Sequence, residues 1–232
     1  MTASAKALFY AIIAGLTVGI IITTLPTEKH IEEYARVRAP ASMRANVWLI
    51  MANNVLVMLL TLYGGVLFSL LEIRSYKTFP AGLYSFLDTL SSPLHRIFSF
   101  FDNKINSMAD PMKSCYFISV SFPLGILFVN VMFFSNLVAY GIILQGINQQ
   151  SIVALCKILP ISLMEFLSLC VTAKLAYDFT QQNISLHSSN DTAAYVDAAK
   201  KYLTSKKNLQ TAVMLSALLI ASGILEHSML NQ

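Results

Sequence analysis

The stretch Tyr116–Gly146, YFISVSFPLGILFVNVMFFSNLVAYGIILQG, runs for 31 residues without a single Asp, Glu, Lys, Arg or His. A helix rises about 1.5 Å per residue, so about 20 mostly apolar residues cross a hydrocarbon core of ~30 Å. At 31 residues the stretch exceeds one crossing. It is therefore tilted, bent, or begins in the interface, and Pro123 with Gly125 supplies a place to bend. Working outward, four more stretches meet the same criterion: Ala7–Leu25, Val47–Leu71, Ile152–Tyr177 and Leu209–Leu230. Hydrophobic residues make up 56% of the chain and charged residues 12%, against about 25% charged in a soluble domain. The expected fold is all-α: a polytopic transmembrane bundle of about five helices, one integral domain over residues 1–232, in a cell membrane with lipid as its first partner.

Composition also excludes several classes. The first span follows one basic residue, Lys6, and ends in Thr-Thr-Leu-Pro without a small-x-small cleavage site, so it reads as a retained helix. Cys115, Cys156 and Cys170 have no CxxC spacing and read as small apolar packing residues. A net charge of +4 suits loops facing anionic lipid and is too dispersed for nucleic acid. No HExxH, GxSxG or phosphate-binding glycine loop occurs, and the four histidines have no ligand spacing. The expectation is a non-enzymatic protein without metal or cofactor.

The loops carry two amphipathic patterns. After Ser92-Pro93, an N-cap and first-turn proline, the residues Leu94, Ile97, Phe98, Phe101 and Ile105 recur at helical spacing. A second runs from Asp191 through Tyr195, Ala199 and Tyr202 toward Lys200, Lys201, Lys206 and Lys207. Each is expected to be a helix, lying in the membrane interface or packed on its own protein.

Inside the spans the polar residues are informative, because in hydrocarbon each needs a partner or a water-filled cavity. Glu165 sits near the centre of the fourth span. Ser162, Ser168 and Thr172 fall within about 60° of it on a wheel of about 100° per residue. A carboxyl at that depth costs a few kcal/mol, and its candidate partners are the amides of Asn53, Asn54 and Asn136 or the second acid, Glu226. Gly15 and Gly19 form a GxxxG that permits a neighbouring helix to come close. Asn53-Asn54 and Gly64-Gly65 are eleven residues apart, close to three α-helical turns, so they are expected on one face as a groove for another helix.

The order of these features resembles the stage II sporulation protein M family, polytopic membrane proteins of bacteria and archaea. The resemblance rests on Asn53-Asn54 through Gly64-Gly65, on the Asn136 to Gly141 region, on Leu159-Pro160-Ile-Ser-Leu-Met-Glu165, and on Ala221-Ser-Gly-Ile-Leu-Glu226. It spans about Ala7 to Glu226. Two features depart from it. The family's Pro-His-Gly ahead of the glutamate is Pro160, Ile161 and Ser162 here, and the segment between Gly65 and Asn136 is longer. The resemblance implies a membrane component acting with protein partners, with Asn53, Asn54, Glu165 and Glu226 as shared polar positions and Gly141 as a further packing glycine.

Two functions fit. One is a scaffold holding protein partners, or copies of itself, in a membrane or envelope-remodelling assembly. The other is a transporter or channel subunit with a polar path around Glu165. Eleven of the sixteen Lys and Arg residues fall on the side of the amino terminus and the 72–115 and 178–208 loops, which predicts a cytoplasmic amino terminus and an external carboxyl terminus. In a background lacking the three native cysteines, Asn190→Cys should resist an impermeant thiol reagent in intact cells and react after permeabilisation. Labelling of intact cells inverts the orientation.

Overall fold

The computed structural model describes residues 3–24, 47–78, 96, 102–145 and 149–230. Among them the chain is all-helical, without strands. The helices are α1 (Ala3–Thr24), α2 (Val47–Leu59), a π-helical turn (Leu60–Gly64), α3 (Gly65–Thr78), a 3-10 turn (Asn103–Ser107), α4 (Met112–Gln145), α5 (Gln149–Gln182), α6 (Ile184–Ser188), α7 (Thr192–Leu203) and α8 (Lys206–Leu230). Four helical stretches among the described residues are long and apolar enough to cross a membrane: Ala3–Thr23, Met51–Tyr76, Met112–Asn136 and Lys206–Leu225. The other expected span, 152–177, falls on α5, whose side chains are described from Ser162 onward.

The chain divides into two compact units. One comprises Met1–Met58, Ile126–Cys170 and Val213–Gln232, the other Leu59–Gly125 and Val171–Ala212. In the first unit, α1 lies against α4 at its two glycines. A Cβ on Gly15 would stand 2.8 Å from the Phe128 carbonyl oxygen, and one on Gly19 2.4 Å from that of Met132 and 1.9 Å from Ser135 Oγ. Hydrogen bonds cross the same contact. Ser135 Oγ donates to the Gly15 carbonyl at 3.4 Å, and Asn136 Nδ2 donates to Thr23 Oγ1 at 2.9 Å. Gly223 of α8 similarly receives Met51 of α2, whose Cγ would be 2.6 Å from a Cβ there.

The second unit has an apolar core of Leu62, Val66, Ile73, Met112, Cys115, Phe179 and Tyr195, closed by Ala199, Tyr202 and Ala212. A chain of hydroxyls runs through it. Ser69 Oγ donates to the Cys115 carbonyl at 3.0 Å, shares a 2.7 Å bond with Ser119 Oγ, and Ser119 in turn meets Tyr195 OH at 3.1 Å. Gly65 allows this approach, because its Cβ position lies 3.3 Å from Pro123 Cδ and Ser119 Cα. The π turn has wider hydrogen-bond spacing than an α-helix. Within it the Leu62 carbonyl accepts a 2.9 Å bond from Tyr202 OH.

Asp191 caps α7 by accepting from the Ala194 N–H at 3.0 Å, satisfying one of the orphan donors of a helix start. Tyr195, Ala199 and Tyr202 of α7 are buried in the protein's own core. Of the other pattern, Leu94, Ile97, Phe98 and Phe101 lie outside the described residues, whereas Ile105 is fully buried in the 3-10 turn. Asn190, at φ 55°, takes the left-handed conformation that asparagine tolerates. Ser189 beside it is also exposed and serves as a second labelling position.

The glycine contacts differ in what would have to move. At Gly19 the obstacle includes backbone, whereas at Gly64 it is the Phe122 ring, 2.3 Å from the Cβ position, which can swing aside. Gly125 has nothing within 4 Å. Gly19→Ala should therefore lose about 1–3 kcal/mol through overpacking, Gly64→Ala less, and Gly125→Ala nothing measurable. Thermal unfolding in mild detergent reads the ranking, and equal melting points for the Gly19 and Gly125 variants would contradict it.

Candidate functional site

Glu165 of α5 and Asn54 of α2 meet within the first unit: Asn54 Nδ2 donates to Glu165 Oε1. The amide is half-buried, so the hydrogen bond offsets part of the cost of holding a carboxyl away from water. Two cavities adjoin the pair. The larger, 370 Å³, lies among Ile12 and Leu16 of α1, Asn130 and Phe134 of α4, and Ser162, Leu163, Glu165 and Phe166 of α5. The smaller, 40 Å³, is bordered by Asn54, Val57, Asn130, Glu165, Leu169 and Leu219. Glu165, Asn130 and Leu169 line both.

The remaining polar positions read from the sequence are dispersed. Asn53 is exposed. Asn136 belongs to the contact with α1, where Thr23 Oγ1 accepts from it and itself donates to the Gly19 carbonyl at 2.8 Å. Ser162 lines the larger cavity. Ser168 is buried and donates to the Met164 carbonyl of its own helix at 2.8 Å. Thr172 is fully buried and falls in the second unit. The expected groove of Asn53-Asn54 over Gly64-Gly65 presumed an uninterrupted α-helix. Instead the π turn at Leu60–Gly64 breaks the register, and the two pairs fall in different units. Gly141 and Glu226 are described only as helical backbone of α4 and α8.

Asn130 sits on both cavities although it belongs to α4, which a wheel drawn around Glu165 of α5 does not reach. Its Nδ2 donates to the Ile126 carbonyl at 2.8 Å, which leaves the second N–H and the amide oxygen to be offered elsewhere. Among the described residues, no three His, Cys, Asp or Glu side chains gather closely enough to hold a metal. No protein-family model, curated protein or solved structure matches the chain at a significant level.

The second unit holds a histidine that its polar loop sequence does not single out. His187 is fully buried, with its ring 5.3 Å from that of Tyr116 and 4.7 Å from that of Tyr195. Nδ1 lies 3.2 Å from the Met112 carbonyl, and Nε2 is buried without a partner. A carbonyl only accepts, so Nδ1 carries the proton of the neutral ring. Burial pushes the imidazole down to about 4, and the Met112 carbonyl offsets a smaller part in the opposite direction.

The sign of the resulting pH dependence follows directly. The unfolded chain takes up a proton near pH 6.5, before the folded chain does. Stability contributed by the neutral ring is complete above that pH and is lost as pH falls from 6.5 to about 4. The whole loss amounts to about 3 kcal/mol. His187→Gln retains a donor for Met112 but does not titrate. It should therefore melt with a flatter pH dependence than the wild type between pH 7 and pH 4.5, and parallel curves would remove His187 as the cause.

Proposed function

We propose that the chain is a non-enzymatic multi-pass membrane protein, a scaffold that holds protein partners or further copies of itself in a membrane or envelope-remodelling assembly. It would cross the membrane five times, with α5 as the fourth crossing in chain order, the amino terminus in the cytoplasm and the carboxyl terminus outside. The observation that favours a scaffold is the Asn54–Glu165 bond. The central acid is tied to a neighbouring helix, and Thr17, Thr23, Asn130, Ser135, Asn136 and Ser168 of that unit bond to helix backbones or to each other. That pattern suits helices fixed against one another. The resemblance to the stage II sporulation protein M family points the same way, toward a component that works through partners.

The cavities on either side of Glu165 favour the second reading, a transporter or channel subunit. The acid separates the two. Gln keeps an oxygen to accept from Asn54, so Glu165→Gln should copurify with the same partners or copies after mild detergent extraction. Glu165→Leu removes the acceptor and should lower stability by the ~1–2 kcal/mol of an intramembrane hydrogen bond. A Gln variant that assembles normally while reconstituted vesicles lose an ion flux present in the wild type would replace the scaffold with the transporter.

A further inference from the structure

We propose that the junction of α7 and α8 is a docking surface for the headgroups of anionic phospholipids, recognised by Lys200, Lys201, Lys206 and Lys207. All four belong to the second unit and all four are exposed. Lys200 and Lys201 lie in the last turn of α7, and Lys206 and Lys207 open α8. From Ala198 to Leu225 the sequence holds no Asp or Glu. Asp197, just before that stretch, stands 3.9 Å from Lys200 with both side chains exposed, and such a pair neutralises little. Among the described residues no ion pair engages Lys201, Lys206 or Lys207.

The turn between the two helices keeps the two lysine pairs close. Ala199 and Tyr202 are buried, and so is Asn208, whose Nδ2 donates to the Tyr202 carbonyl at 3.0 Å. The Thr204 N–H donates to the Lys200 carbonyl at 3.0 Å, and the Ser205 N–H to that of Tyr202 at 3.3 Å. These bonds fix the backbone of the turn. The residues buried among the lysines hold one side of it to the core and leave the four cations on the other.

Depth and chemistry select the partner. From Lys206 onward α8 is long and apolar enough to cross a membrane, and the inference rests on the reading that it does. Leu209, on the same helix, is 58% exposed, so apolar surface begins about 4.5 Å along the axis from Lys206. An anion met at that level is a lipid phosphate. The lysine stems can lie along apolar surface while their ammonium groups reach the headgroups. A cluster of four lysines beside a membrane-crossing helix fits lipids of negative charge. Lysine also suits a fluid ligand, because its ammonium is a point charge without arginine's fixed fork.

The test uses the full chain in phosphatidylcholine vesicles carrying a trace of phosphatidylglycerol or phosphatidylcholine, each spin-labelled on its acyl chain. The wild type should immobilise phosphatidylglycerol in preference to phosphatidylcholine by about five-fold, the scale of one lysine contact. High salt should screen the preference away. Changing all four lysines to Gln should abolish it and changing all four to Arg should keep it, each with an unchanged elution profile. Lys206→Gln with Lys207→Gln should lower the preference, whereas Lys6→Gln with Arg74→Gln, which removes two exposed cations elsewhere, should not. Those two double variants decide the matter if the quadruple one fails to fold. Equal loss in both overturns the proposal, and so does a quadruple Gln variant that keeps the wild-type preference. Displacement of the labelled lipid by inorganic phosphate or polyglutamate, beyond that by sodium chloride at equal ionic strength, makes the surface one for soluble anions and overturns it too. A chain that washes off the vesicles at high pH removes the multi-pass reading as well. An integrated chain that immobilises both lipids equally removes this surface alone.

Discussion

A polar group removed from water is best met by another polar group, and in a chain this apolar several of the long-range contacts are arranged around that constraint. In one unit it joins Asn54 to Glu165, and Asn136 to Thr23 and the Gly19 carbonyl. In the other it joins Ser69, Ser119 and Tyr195, and brings Tyr202 to the carbonyl of Leu62. Each bond ties residues far apart in sequence. Apolar packing alone specifies helix contacts poorly where the surroundings are as apolar as the side chains, whereas a hydrogen-bond pair fixes register and partner together.

Small residues make those bonds geometrically possible. A Cβ at Gly19 would overlap Ser135 Oγ, the hydroxyl that reaches across to the Gly15 carbonyl. At Gly65 the missing Cβ lets Ser69 lie within reach of the Cys115 carbonyl and Ser119. The close approach and the polar bond are thus one device seen twice: the first supplies the distance and the second the specificity. The π turn adds a third element, because its Leu62 carbonyl takes the hydroxyl of a buried tyrosine that would otherwise go unpaired.

The same constraint gives the two notable titratable groups different characters. His187 is sealed among Tyr116, Tyr195 and Met112 and is held neutral by burial, so its Nε2 contributes to packing and to pH sensitivity. Glu165 borders open space on two sides while keeping one firm partner. A histidine that is enclosed is suited to structure.

That the chain forms helices long and apolar enough to cross a membrane was legible in uncharged runs such as Tyr116–Gly146, because the width of a hydrocarbon core imposes a minimum length that composition reveals directly. Local signals were legible too: Asp191 stands where a helix needs its N–H groups capped, and the cap bond is made within three residues. The partner of Glu165 was not. Asn53, Asn54 and Asn136 are the same residue type in similar surroundings, and only the packing of α2 on α5 selects Asn54 while leaving Asn53 exposed. Eleven-residue spacing placed the asparagines over the double glycine, but a π turn changes helical register without any mark in composition. Asn130 was visible as a polar residue of its span, but its place on both cavities was not, nor was the burial of His187. Their importance lies in which atoms surround them, and those atoms come from helices that sequence separation keeps apart and tertiary packing brings together.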